Sequence, residues 1–128
     1  MAQNEFQRLN VLVIEDQDMT REITVAILRA LGCASIRAAA DGTQALQQVH
    51  DDPPDLIVCD IGMRPMDGFQ FVDELHKAGK RIPTIYLTAH STGEFVKRAK
   101  QLGVDAYIVK PVKRAVLEER IRHVMLAG

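Results

Sequence analysis

Leu56-Ile57-Val58-Cys59-Asp60 is the stretch on which the fold turns, an unbroken apolar run ending on a carboxylate. A run of strand length that is apolar throughout, rather than alternating, reads as a strand covered on both faces, the mark of a parallel sheet. Asp51-Asp52-Pro53-Pro54, just upstream, reads as the turn that leads into this strand rather than as a domain boundary. Outward from it the same kind of run recurs at Val11–Ile14, Ile85–Leu87 and Tyr107–Val109, and a weaker one at Ser35–Ala38 fits an edge strand.

Helical periods fill the intervals. Met19–Leu31 offers Ile23, Ala26, Ile27, Ala30 and Leu31 as an apolar stripe, with Asp18 placed to cap its start and Gly32 its end. Further helices are expected over Thr43–Val49 behind Asp41-Gly42 and over Phe69–Lys77 behind Asp67-Gly68. Two more follow, over Thr92–Leu102 between Ser91 and a closing Gly103, and over Lys113–Met125. Strict alternation of strand and helix predicts an α/β domain of doubly wound, flavodoxin-like form: a five-stranded parallel sheet in the order 2-1-3-4-5 with five helices.

A chain of 128 residues is the size of one domain, and the predicted elements use about residues 10–125, so a single domain without an output domain is expected. Its net charge of -1 argues against nucleic acid as a partner. No apolar stretch is long enough for a membrane span or export leader, and Cys33 and Cys59 frame neither a disulfide scaffold nor a zinc site. The expectation is a cytoplasmic protein with reduced thiols, a monomer, with dimerisation as the alternative.

In open parallel sheets ligands bind beyond the carboxyl ends of the strands. The residues there are Glu15 and Asp16 after the first run, Asp60 after the third, Thr88 after the fourth and Lys110 after the fifth. Three carboxylates face one ammonium. Like charges about 4 Å apart repel by about 4 kcal/mol at an effective dielectric near 20, so the pocket calls for a divalent cation, and oxygen-only donors suit Mg²⁺. A carboxylate between a metal and an ammonium is arranged for phosphoryl transfer, with Asp60 as nucleophile and Lys110, Thr88 and Mg²⁺ around the phosphoryl oxygens.

Four motifs resemble the receiver domain of two-component response regulators: VLVIEDQD (Val11–Asp18), DLIVCDIGMRPMDG (Asp55–Gly68), LTA (Leu87–Ala89) and YIVKP (Tyr107–Pro111). The likeness runs from about Asn10 to Met125 and is to receivers of the chemotaxis-type, stand-alone kind. It implies that Asp60 is the phosphoacceptor, and that Asp16, Asp60 and the Gly62 carbonyl ligate Mg²⁺ with Glu15 acting through water. It also implies that Thr88, beside Ala89, and Lys110, beside Pro111, bind the phosphoryl group, that Tyr107 is the switch aromatic, and that Lys110-Pro111 is cis. Two departures stand out: the acidic pair is Glu-Asp rather than the commoner Asp-Asp, and Arg64 stands where a proline is usual, with Pro65 one later. Gly62 and His90 occupy positions that tune phosphoryl lifetime in the family.

Such a protein is not an enzyme beyond its own phosphorylation and dephosphorylation. Its expected partners are a sensor histidine kinase or histidine phosphotransfer protein, docking near Met19, Thr20 and Thr24, and a downstream target protein that the sequence does not name. That target is expected on a face including Glu94, Lys97, Arg98, Glu119 and Arg122. A nucleotide or flavin enzyme of the same topology is disfavoured, since no GxGxxG or GxxxxGK[ST] occurs and acids fill the first loop. A haloacid-dehalogenase-like phosphatase would want a second acid where Gly62 stands. A pseudo-receiver or phosphate-sink module remains the alternative class.

Overall fold

The structure, a computed structural model, describes residues 5–89, 93–101 and 105–126. Strands β1 (Asn10–Ile14), β2 (Ser35–Ala39), β3 (Leu56–Asp60), β4 (Thr84–Thr88) and β5 (Ala106–Val109) alternate with helices. These are α1 (Asp18–Leu31), α2 (Gly42–Asp51), α3 (Gly68–Lys77), α4 (Gly93–Gln101) and α5 (Arg114–Leu126). Every pairing is parallel and the sheet runs β2-β1-β3-β4-β5, as expected.

Successive side chains of a strand point to opposite faces, and here each face meets its own layer of helices. Leu12, Ile14, Ile57, Cys59 and Tyr86 pack with Ala45, Val49, Phe71, Val72 and Leu75. Val11, Val13, Leu56, Val58, Ile85 and Leu87 pack with Leu28, Leu31, Leu117 and Ile121. Burial of each such side chain stabilises the fold by roughly 1.5–3 kcal/mol. This two-sided core is why the central runs are apolar throughout.

Burial at β5 departs from that reading. It is an edge strand, and Tyr107 and Val109 are 37% and 40% exposed while Ile108 is buried. The stripe on α1 is also rotated from the expected one: Thr24, Leu28 and Leu31 face the sheet, whereas Ile23, Ala26 and Ala30 point outward. Thr24 can be buried because its hydroxyl donates to the Thr20 carbonyl at 2.8 Å.

Capping explains where the helices begin. Asp41 and Asp67 accept from the backbone N–H groups of Gln44 and Gln70, each at 2.8 Å, and Gln70 returns the bond to the Asp67 N–H, a complete capping box. Asp18 is not a cap: Gln17 holds that position without a side-chain bond, and Asp18 is already helical and paired with Arg21. Gly32 ends α1 at φ 94°, where a Cβ would be strained. Ser91, Gly103 and His90 lie outside the described residues.

A 3-10 turn, Glu5–Arg8, precedes β1 and was not expected from the sequence. It inserts Phe6, 3% exposed, into the layer of α1 and α5. Arg122 stacks on the Phe6 ring at 5.1 Å while pairing with Glu5 and Glu118.

Candidate functional site

Each parallel strand delivers its last residue to the same edge of the sheet, so Glu15, Asp16, Asp60, Thr88 and Lys110 converge although they are far apart in sequence. Glu15, Asp16 and Asp60 each bring a carboxylate oxygen within 4.8 Å of the others. Glu15 is fully buried, Asp60 is 5% exposed and Asp16 is exposed. Lys110 reaches in from behind β5, its ammonium 2.7 Å from Glu15 Oε1 and 3.1 Å from Asp60 Oδ1. It is thus the Glu of the acidic pair, with its longer reach, that meets the lysine.

Burial pushes the Glu15 carboxyl up to about 7, and the nearby Asp60 charge adds to the rise against the opposing pull of Lys110. Burial pulls the other way on Lys110, but its contacts with Glu15 and Asp60 together hold it above the usual lysine range. The pocket therefore has an excess of negative charge that one ammonium does not satisfy. Three clustered carboxylates, with no sulfur or nitrogen donor in the cluster among the described residues, are the ligand chemistry of a hard dication, and Glu15, Asp16 and Asp60 fit Mg²⁺.

The backbone around Asp60 is closely set. The Gly62 N–H donates to Asp60 Oδ1 at 3.3 Å, and Gly62 itself is exposed; a Cβ there would lie 3.9 Å from Asp60 Oδ2. Gly68 lies against the acceptor strand so tightly that a Cβ there would sit 2.7 Å from the Asp60 carbonyl oxygen. Thr88 is 3% exposed at the end of β4, and its carbonyl accepts from the Lys110 N–H at 2.8 Å. Lys110-Pro111 is cis as expected, and Arg64-Pro65, beside the departure noted in the sequence, is cis as well. Met63 is buried in the core and Met66 packs on Gly42, so both serve packing.

Ala89 and Pro111 flank the pocket on the surface and, with Thr20, Ile23, Lys110 and Val112, line a cleft against α1. Met19, 74% exposed, extends that side, but Thr24 faces the core and is no part of it. The expected partner face also divides. Glu94, Lys97 and Arg98 border a groove between α3 and α4, where Arg98 stacks 4.7 Å over Phe69. Arg122 is turned to the N-terminal 3-10 turn. Of that group Glu119 lines the groove by β5, together with Lys100, Tyr107, Arg120 and His123. Helix faces, unlike strand ends, depend on side-chain rotation that the sequence pattern leaves open.

Arg21 was missed by the sequence reading. Its guanidinium donates to the Glu15 carbonyl at 2.9 Å and pairs with Asp18 at 2.7 Å. Nothing in the sequence sets it apart from a surface arginine except its position one turn into the helix that follows the acidic pair.

A doubly wound sheet with an acidic pocket and a lysine at the ends of its strands is the make-up of a receiver module. Residues 11–122 match the response regulator receiver domain family, and the chain belongs to it: a signalling module rather than a conventional enzyme. The Regulator of RpoS of Escherichia coli (strain K12) is 31% identical over 103 residues, 80% of this chain and 30% of that protein. The probable transcriptional regulator ycf27 of Porphyridium aerugineum is 39% identical over 119 residues, 93% of this chain and 49% of that one. The chain thus spans half or less of the length of these curated relatives. The crystal structure of Vibrio cholerae chemotaxis protein CheY4 superposes with a TM-score of 0.86 at 28% identity, covering 92% of this chain and 99% of that one. Receiver domains take their signal from histidine kinases. Among the described residues no helix is long and apolar enough to cross a membrane.

Proposed function

We propose that the chain acts as a stand-alone receiver: Asp60 takes a phosphoryl group from a phosphohistidine of a sensor histidine kinase or histidine phosphotransfer protein, and the phosphorylated form signals to a partner protein. The observation that carries this reading is the Asp60 carboxylate, set at the end of β3 within 4.8 Å of two further acids and 3.1 Å from Lys110. The superposition on CheY4 at a TM-score of 0.86 supports the receiver reading.

An Asp60 oxygen forms a bond to phosphorus as the phosphorus–nitrogen bond breaks, and the electron pair leaves with the imidazole. Lys110 turns from its contact with Asp60 Oδ1 to a phosphoryl oxygen, which keeps a charge-assisted bond in place throughout. The Thr88 hydroxyl donates to another oxygen. Asp16, Asp60 and the Gly62 carbonyl would hold Mg²⁺, with Glu15 at one remove; the ion supplies positive charge to the phosphoryl oxygens. Gly62 is exposed beside the Asp60 carboxylate, and a Cβ there would lie 3.9 Å from Asp60 Oδ2, so a side chain at this position would cover the acceptor.

The cleft of Thr20, Ile23, Ala89 and Lys110, extended by Met19, is the surface on which we place the phosphodonor protein. Tyr107, now partly exposed on β5, turns inward as Thr88 moves toward the phosphoryl group, which shifts the population toward a second surface by β5 and α5. Intact-mass measurement after exposure to an acyl phosphate donor tests this. Wild type should gain a phosphoryl adduct that depends on Mg²⁺, and Asp60→Asn should gain none. Absence of the adduct from wild type would sink the mechanism.

A further inference from the structure

Glu15 and Asp16 lie on a loop of few residues between β1 and α1, and Arg21 ties that loop together. One arm of its guanidinium, Nη1, donates to the Glu15 carbonyl at 2.9 Å, and the other, Nη2, pairs with Asp18 Oδ1 at 2.7 Å. The backbone N–H of Arg21 donates to the Gln17 carbonyl at 3.0 Å. Its side chain is 22% exposed, whereas that of Asp18 is 83% exposed, so the arginine lies against the loop and the aspartate holds it from outside. A planar guanidinium fixes its two acceptors at a set spacing, which a flexible ammonium does not.

The rest of the loop is fixed from within the pocket. The Glu15 N–H donates to the Ala39 carbonyl at 3.1 Å, and the Gln17 N–H donates to Glu15 Oε2 at 3.2 Å. The direction in which Glu15 and Asp16 leave the backbone therefore depends on the peptide that Arg21 holds from the helix side.

We infer that Arg21 is a positioning residue for the acidic pocket: by clamping the Glu15 carbonyl to α1 it holds Glu15 and Asp16 beside Asp60, and so sets the affinity for a divalent cation. This rests on the metal reading given under the proposed function. The sign of its effect distinguishes it from simple electrostatics. A cation near the pocket repels a dication, so if Arg21 acted only by its charge, removing it would tighten Mg²⁺ binding.

The test compares wild type with Arg21→Met, which loses donors and charge, and Arg21→Lys, which keeps charge but loses the fork. Calorimetric Mg²⁺ titration should show the Kd raised about tenfold in Arg21→Met, the scale on which groups that orient metal ligands act, and raised less in Arg21→Lys. In metal-free protein, amide exchange at Glu15–Asp18 should quicken in both variants while exchange in β3 and β4 stays unchanged, a readout that loss of global stability would not give. Unchanged or tighter binding by folded Arg21→Met, or unaltered exchange in the loop, overturns the inference. Should Arg21→Met fail to fold, Arg21→Lys decides it by the same two measurements. Wild type without Mg²⁺ affinity would instead overturn the metal reading, and the exchange comparison would still judge the clamp.

Discussion

Glu15→Gln should stabilise the metal-free protein at alkaline pH and leave it unchanged at acid pH. In the fold the Glu15 carboxyl is pushed from the ordinary 4.5 up to about 7, first by burial and then by Asp60, against Lys110. Between those values the native state keeps a proton that the unfolded chain has released, so stability falls as pH rises through that window. Lys110, held above the usual lysine range, stays charged throughout and adds nothing to the slope. At about 1.4 kcal/mol per pH unit the rise from 4.5 to about 7 is worth at most about 3.5 kcal/mol, and because Lys110 shares it the expected loss is on the order of 1–3 kcal/mol. Gln resembles the protonated acid and cannot ionise. Urea melts in chelator at about pH 4, below that window, should therefore give equal stability for wild type and variant, and melts at about pH 8 should favour the variant by on the order of 1–3 kcal/mol. The reasoning is refuted if Glu15→Gln is destabilised equally at both, since the contact with Lys110 would then outweigh the cost of burying the charge.

Lys110→Met removes the cation that touches both Glu15 and Asp60, and should cost roughly 3–5 kcal/mol of metal-free stability at about pH 8 and less at about pH 5, where Glu15 takes up a proton; equal losses in urea melts at both would count against it. Gly68→Ala drives a methyl to 2.7 Å from the Asp60 carbonyl oxygen and 3.0 Å from Ile61 Cα, so the acceptor strand must give way. A loss of about 1–3 kcal/mol in urea melts, with slower adduct formation by mass, is expected, and wild-type behaviour in both would mean that α3 simply slides aside.

The strands were legible because Val11–Ile14, Leu56–Cys59 and Ile85–Leu87 are buried on both faces, a constraint that leaves no polar position within the run. Tyr107–Val109 has the same letters, yet forms an edge, because nothing in a short run tells one covered face from two. Asp41 and Asp67 could be read as caps since each acts on a residue three places on, whereas Asp18 follows another acid so closely that either of two turns would serve, and the helix took Gln17 as its boundary. The convergence of Glu15, Asp16, Asp60 and Lys110 followed from topology alone. Which acid meets the lysine did not, for that depends on one methylene in Glu15 and on the path of the Lys110 side chain. Arg21 was invisible for the same reason, its role being to hold a backbone carbonyl rather than to bring a reactive group.

The chain has two tyrosines and no tryptophan, and the two are placed very differently. Tyr86 is fully buried, its ring edge-on to Phe69 at 5.0 Å, while Tyr107 stands on the open edge of the sheet. A collisional quencher in solution reaches the emission of Tyr107 and leaves that of Tyr86 alone. Any state that turns Tyr107 inward thereby announces itself as a loss of quenching, so the protein carries an optical reporter of its own conformation and needs no attached dye.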